Sequence, residues 1–304
     1  MFQKMSRLTA IILGAAAGGG FPQWNCRCPV CRLAWDGDPR VTPRTQAGLA
    51  VSSDGRDWIL INASPDLRAQ IEATAVLHPH NGLRGSPISA VVLTGAEVDQ
   101  IAGLLALRER SKFDLYATTE TLATIANNPI FGVLACDCVQ RHPVALSQRF
   151  TLPGGLAAEL FAVPGKVALY LENSEPEIAQ GGVNVGVEII SDDKRLIYIP
   201  GAADLNKSVK ERLDRADVVL FDATLFDDDE MIRGGTGNKT GRRMGHMPLS
   251  GPEGTLRRLG GLTARRILTH INNTNPILIY DSPERREVEA AGFEIAADGM
   301  EIVI

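Results

Sequence analysis

Three cysteines crowd the stretch GGGFPQWNCRCPVC, residues 18–31, at the spacing Cys26-x-Cys28-x-x-Cys31. Thiolates at i, i+2 and i+5 on a glycine-rich turn can converge on one tetrahedral Zn²⁺, leaving one position for another donor. Cys28 and Cys31 also form the C-x-x-C pattern of a redox dithiol. A third sulfur so close favours structural zinc. Such a site fixes a loop and does no chemistry of its own. Its fourth ligand does not follow from spacing. Cys136-Asp-Cys138 is one source, but it reads better as a buried pair of free thiols. His78, His80 and His142 fall in proline-containing loops and read as surface residues. The five cysteines are odd in number and clustered, unlike a secreted disulfide framework. They point to a reducing, cytoplasmic setting.

The elements that must position these residues are mostly strands. The chain has 304 residues, 44% of them hydrophobic, and a net charge of −5, enough for one large domain over 1–304. No basic block suggests a nucleic-acid partner. No run approaches the ~18 apolar residues of a membrane span. Lys4, Arg7 and the apolar run behind them resemble a secretory signal in outline. The run is short and leads straight to the cysteines, so it reads as a first strand, Leu8–Leu13. Further strands are expected at Leu49–Val51, Trp58–Asn62, Ala90–Leu93, Leu115–Ala117, Leu160–Val163 and Val167–Leu171. More follow at Val183–Ile190, Leu196–Ile199, Val218–Phe221, Ile267–Thr269 and Glu301–Ile304. Ser64-Pro65 should start a helix over Asp66–Ala75, and Asp99–Arg110 carries a helical apolar stripe. Asn206–Arg215 is amphipathic. Ser250–Glu253 and Asp281–Glu284 read as capping boxes ahead of Leu256–Leu259 and Arg286–Ala291. Helices in both halves of a strand-rich chain predict an α/β sandwich of two sheets with helices on its outer faces. Asp227–Met247 is long, charged and non-periodic, the pattern of a functional or mobile loop.

The segment Leu93-Thr-Gly-Ala-Glu-Val-Asp-Gln-Ile-Ala-Gly-Leu104 resembles the T-H-x-H-x-D-H-x-x-G-L signature of the metallo-β-lactamase superfamily. It keeps Thr94, Asp99, Gly103 and Leu104 and replaces the three histidines with Gly95, Glu97 and Gln100. GGGFPQWNCRCPVC, INASPDLRAQIEAT, FDDDEMIR, RMGHMPLSGPEG and the segments from HINNTNPIL to ADGMEI resemble, in order, the pyrroloquinoline quinone (PQQ) biosynthesis protein B family. The likeness runs from about residue 8 to 304. It implies an αββα metallo-β-lactamase-like sandwich of two mixed sheets flanked by helices. It also implies structural zinc at Cys26, Cys28 and Cys31. Phosphodiesterase-like members of the superfamily carry a histidine as fourth ligand where this chain has Asn273, so Asn273 or a nearby donor is the candidate. Two roles attach to the family. One is an iron- and O₂-dependent hydroxylase of the cross-linked Glu–Tyr intermediate. The other is a carrier for PQQ or its precursor. Other PQQ biosynthesis proteins are the implied partners.

Laying the superfamily's metal positions on this chain leaves Asp99, His246 and His270. The third-motif histidine has no counterpart near Val163–Lys166. The aspartate expected near Pro200 is missing, with Asp204 slightly later. A dinuclear zinc hydrolase needs roughly six ligands or more around its two ions. Two imidazoles and one carboxylate are instead the minimum facial set for non-haem Fe²⁺, with open positions for O₂ and substrate. Iron is inferred from the implied function. Glu97 or Asp222 is the candidate general base, provided burial raises its pKa; Asp222 serves equally as the cap of a turn. Gln100, a poor iron ligand, is a candidate partner for metal-bound water. Arg44 and Lys166 are candidate clamps for substrate carboxylates, with Trp24 as an aromatic contact.

Overall fold

The structure is a computed structural model that describes residues 7–172 and 181–304. The first six strands form one sheet: β1 (Thr9–Gly14), β2 (Gly48–Ser52), β3 (Trp58–Ile61), β4 (Ile88–Val92), β5 (Phe113–Ala117) and β6 (Val139–Pro143). The next seven form the other: β7 (Arg149–Thr151), β8 (Ala157–Ala162), β9 (Val185–Ser191), β10 (Lys194–Ile199), β11 (Val218–Asp222), β12 (Arg265–Thr269) and β13 (Glu294–Ile295). The last strand, β14 (Glu301–Val303), returns to the first sheet beside β1. Both sheets are mixed. β3 to β6 run parallel, as do β10 to β13, and the remaining pairs are antiparallel.

The apolar runs form strands because both faces of each sheet are covered. In β1, Ala10 and Ile12 meet the layer between the sheets, while Ile11 and Leu13 meet the outer helices. In β10, Leu196 and Tyr198 turn inward and Ile197 and Ile199 outward. Each such aliphatic side chain contributes roughly 1.5–3 kcal/mol when fully buried. The flanking helices are α1 (Pro29–Trp35), α2 (Leu67–Ala73), α3 (Val98–Ile101), α4 (Thr119–Ala126), α5 (Lys207–Leu213), α6 (Glu230–Arg233), α7 (Thr255–Leu259) and α8 (Pro283–Ala290).

Several local expectations are corrected. Val167–Leu171 is not a strand. It closes as a 3₁₀ turn over Leu169–Leu171, with Leu169 61% exposed, because no sheet edge meets it. The helix expected over Asp99–Arg110 is α for one turn and then 3₁₀ over Ala102–Leu107. Ser64 does not cap α2; its hydroxyl donates to Gln70. Ser250 does not cap α7 and bonds Asp227 instead. Ser282 does cap α8, accepting from Arg285 N at 3.0 Å, three residues before the expected start. Cys136 is exposed and Cys138 half-buried, so they are not a buried thiol pair.

The parallel strands β4, β10, β11 and β12 end at one edge of the sandwich. Ligand crevices of open α/β sheets form at such carboxyl ends. Bridges Ala16–Ile271 and Gly95–Asn184 tie the two sheets together there. The turn after α3 lies against the loop following β3. A Cβ on Gly103 would fall 2.1 Å from Ser64 O and 2.8 Å from Ala63 O. Gly103→Ala is therefore expected to cost about 1–3 kcal/mol through overpacking, read as a lower urea midpoint. A wild-type midpoint would show that this backbone approach is not a constraint.

Candidate active site

β11 ends on Asp222, which is 0% exposed. Its Oδ1 accepts from Thr224 N at 3.0 Å and from the Thr224 hydroxyl at 2.7 Å. Its Oδ2 accepts from Ala202 N at 3.1 Å and pairs with His246 Nδ1 at 2.7 Å. Thr224 Oγ1 also lies 3.0 Å from His246 Nδ1 and 2.9 Å from His270 Nδ1. A hydroxyl has one proton and two lone pairs. Donating to Asp222, Thr224 accepts the Nδ1 proton of His270. Both rings are thus set to carry their proton on Nδ1, which leaves Nε2 as the ligating atom. His270 follows β12 in the left-handed region, φ 57°. That turn brings its Nε2 to 2.9 Å from Asp99 Oδ2. The two imidazoles stack with centroids 5.3 Å apart.

Burial works against a charged Asp222, but the charge and hydrogen bond of His246, with the His270 ring 3.7 Å away, outweigh it. They hold the carboxyl well below the usual range. Asp222 is therefore no general base, which corrects that expectation. Its donor atom lies within 4.8 Å of those of His246 and His270, so the three make a candidate metal cluster. All four of its lone-pair positions are occupied, however, and it orients the histidines better than it ligates. Burial alone would likewise strip the proton from His270. The two carboxylates beside it, Asp99 hydrogen-bonded at 2.9 Å and Asp222 at 3.7 Å, prevail and raise the imidazole to about 10. A metal ion must displace that proton to bind. Asp99 is also held ionised, its burial outweighed by the hydrogen bond and charge of His270.

Asp99, Thr224, His246 and His270 line a cavity of about 390 Å³, within the range of small-molecule sites, and Asp222 lies behind them. Glu97, Gln100 and Lys166 line it as well. Burial raises the Glu97 carboxyl despite the Leu169 N–H and Lys166 nearby, so Glu97 is the better placed base. Gln100 Oε1 accepts from Glu97 N at 3.2 Å and so caps the start of α3. Gly95, at a superfamily histidine position, is crowded by the Gln100 side chain and the Val183 carbonyl. A Cβ there would lie 2.6 Å from Gln100 Oε1 and 3.1 Å from Val183 O. Two candidates are misplaced. Arg44 is buried beside a separate hollow under Gly19–Pro22, its backbone pairing with Phe21. Trp24 is 82% exposed and stays outside the cavity lining. Asp204 pairs with Arg258 outside the site. Sequence reasoning missed Thr224, Asn184, Lys239 and Asn272, which line the cavity from distant loops. Only their neighbours, Asp222, His246 and His270, carried a signal.

The cysteine sulfurs of residues 26, 28 and 31 also gather within 4.8 Å of one another. Cys31 sits in α1, which opens on Pro29 at its first turn. Asn273 Nδ2 lies 3.2 Å from Cys26 Sγ, 3.9 Å from Cys28 Sγ and 3.2 Å from Cys31 Sγ. Amide N and O are interchangeable by a flip. Turned over, the side chain offers an oxygen where a fourth ligand belongs.

The family model described as "Beta-lactamase superfamily domain" matches residues 57–271. Coenzyme PQQ synthesis protein B of Methylobacterium nodulans is 53% identical over 96% of this chain and 99% of its own length. The namesake from Gluconacetobacter diazotrophicus is 51% identical over 96% and 98%. The chain belongs to this family. The crystal structure of zinc-bound PqqB from Methylobacterium extorquens superposes with a TM-score of 0.95 at 52% identity, covering 97% of this chain and 99% of that one. A diphosphatase of the PhnP family shares the fold at TM-score 0.69 and 20% identity. The αββα sandwich expected from sequence is therefore the fold of the molecule. In this PQQ synthesis family member, the turn after β12 joins the two sites: it carries His270 and, three residues on, Asn273, which touches the thiol cluster. Among the described residues no helix is long and apolar enough to cross a membrane.

Thr224→Val keeps the shape but removes the hydroxyl. It should lower metal affinity at the histidine pair about 10–100-fold, measured by chelator competition with the cysteine site already filled. Unchanged affinity would remove Thr224 from its orienting role. Glu230 accepts from Phe226 N and the Thr274 hydroxyl, bracing the loop of α6 against the turn of Asn273. Burial pushes its carboxyl from 4.5 to about 7. The folded form thus holds this proton more tightly than the unfolded chain. The stability it contributes is full below 4.5 and lost as pH rises through 7. Glu230→Gln should flatten that part of the pH dependence of the urea midpoint. An unaltered profile would exclude Glu230 as its source.

Proposed function

We propose that this protein acts in PQQ biosynthesis as an O₂-dependent hydroxylase of the cross-linked Glu–Tyr intermediate. His246, His270 and Asp99 would hold one Fe²⁺, and Cys26, Cys28, Cys31 and Asn273 a structural Zn²⁺. The observation that carries this reading is the meeting of Asp99 with His270 at 2.9 Å, beside His246, on the wall of the cavity. Fe²⁺ in a facial His₂–carboxylate set supplies activation of O₂ with positions left for substrate. Asp222 and Thr224 hold Nδ1 of both rings, which would leave Nε2 to ligate the ion. Glu97, raised by burial, takes the phenol proton of the substrate. Lys166 and the apolar walls hold the substrate and exclude water. In the overall reaction one C–H becomes C–OH, the second oxygen atom leaves as water, and a reductant supplies two electrons.

The relatives' name supports the pathway, and the donor set supports the chemistry. A residual zinc hydrolase would need a second donor set; besides the cysteines, the described residues gather Asp222, His246 and His270, and Asp99 joins them through His270 at 2.9 Å. A carrier would use the same cavity without turnover. Anaerobic loading with Fe²⁺, then addition of ascorbate, ¹⁸O₂ and the intermediate, separates these readings. The expected outcome is a labelled oxygen in the product, abolished in His246→Ala and Asp99→Ala. Label retained in His246→Ala would reject the residue assignment. No label from fully loaded protein that still binds PQQ would establish the carrier.

A further inference from the structure

Two ammonium groups face the cavity from segments far apart in sequence. Lys166 follows β8, and Lys239 lies in the loop between α6 and His246. Both engage one carboxylate, Glu172. Lys166 Nζ contacts its Oε1, and Lys239 Nζ lies 3.3 Å from its Oε2. Glu172 has a side-chain exposure of 9% and is not part of the cavity lining. It therefore stands behind the lysines and fixes them side by side. Lys166 also has Glu97 at 3.8 Å, too long for a hydrogen bond. An ammonium has three donors. Glu172 takes one from each lysine, which leaves the others free to turn to the cavity. The two nitrogens are already spaced to share one carboxylate, and a ligand carboxylate can repeat that contact from the cavity side. Ala96, Leu169, Val183, Met231 and Met244 supply apolar walls for a flat ring.

We propose that Lys166 and Lys239 form a paired carboxylate subsite for an aromatic polycarboxylate. Lys239 is the specificity-determining residue, and Glu172 is a positioning residue that acts through both lysines. This rests on the proposed PQQ-pathway role, but its test does not need turnover. The probes are PQQ, a tricarboxylate, and its trimethyl ester, each titrated into zinc-loaded full-length protein and followed by fluorescence quenching. Lys239→Met should weaken PQQ binding about tenfold or more, the loss of one charge-assisted contact. Ester binding should be unchanged, and the salt dependence of PQQ binding shallower. Glu172→Gln should also weaken PQQ binding, with partial rescue by Glu172→Asp. Equal loss of PQQ and ester in Lys239→Met, or no loss of either, would overturn the subsite. Tighter PQQ binding in Glu172→Gln would show that Glu172 competes with the ligand, and would overturn its positioning role. Since Lys239 is one-third exposed, its substitution should leave the urea midpoint unchanged. Failure of oxygen insertion with the binding pattern intact would reject the hydroxylase and leave the subsite standing.

Discussion

A carboxylate with no solvent contact must be satisfied from within, and Asp222 meets that requirement with four hydrogen bonds. An unpaired buried charge costs several kcal/mol or more. The surrounding backbone is therefore not free to wander. Ala202 N arrives from the end of β10, Thr224 from the turn after β11, and His246 from the long loop before α7. One buried negative charge registers three chain segments. Thr224 extends this to a fourth by bonding His270 at the end of β12. The imidazoles are aimed by this network before any ion arrives.

The cysteine cluster supports the same geometry from outside. Asn273 touches all three sulfurs and lies three residues past His270. The turn that carries the histidine is thus clamped at its far end. The loop preceding the cysteines returns to the cavity at Gly18 and Gln23. Closing the thiolate site and shaping the cleft are consequently one folding event. Glu230 braces the same turn from α6 through Thr274. Gln100 and Val183 close on Gly95, so a histidine there would collide with them.

Much of this was legible in the sequence because the physics is local. Strands buried on both faces read as continuous apolar runs, and every interior strand was visible that way. The edge strands β6 and β7 were not, because their exposed positions carry Gln140, Arg141 and Arg149. Val167–Leu171 misled for the opposite reason: its apolar residues form a cavity rim and a surface instead of a core. Spacing gave the cysteine cluster, and motif likeness gave Asp99, His246 and His270. Thr224 was invisible because a hydroxyl beside an aspartate is common and has no periodicity. Arg44 and Trp24 looked suited to a polyacid ligand, but charge and ring type do not reveal direction. Of the two readings open for Asp222, the turn cap is the one its bonds from Thr224 match, and the base reading fails because it weighed burial without regard to those donors.

The most direct test is structural. Protein loaded anaerobically with Fe²⁺ should show the ion bound by Nε2 of His246, Nε2 of His270 and an Asp99 oxygen at about 2.0–2.2 Å. Asp222 should stay outside the coordination shell, still on His246 Nδ1. An ion ligated by Asp222, or one held only by the cysteines while Asp99 and the histidines stay apart, would contradict it.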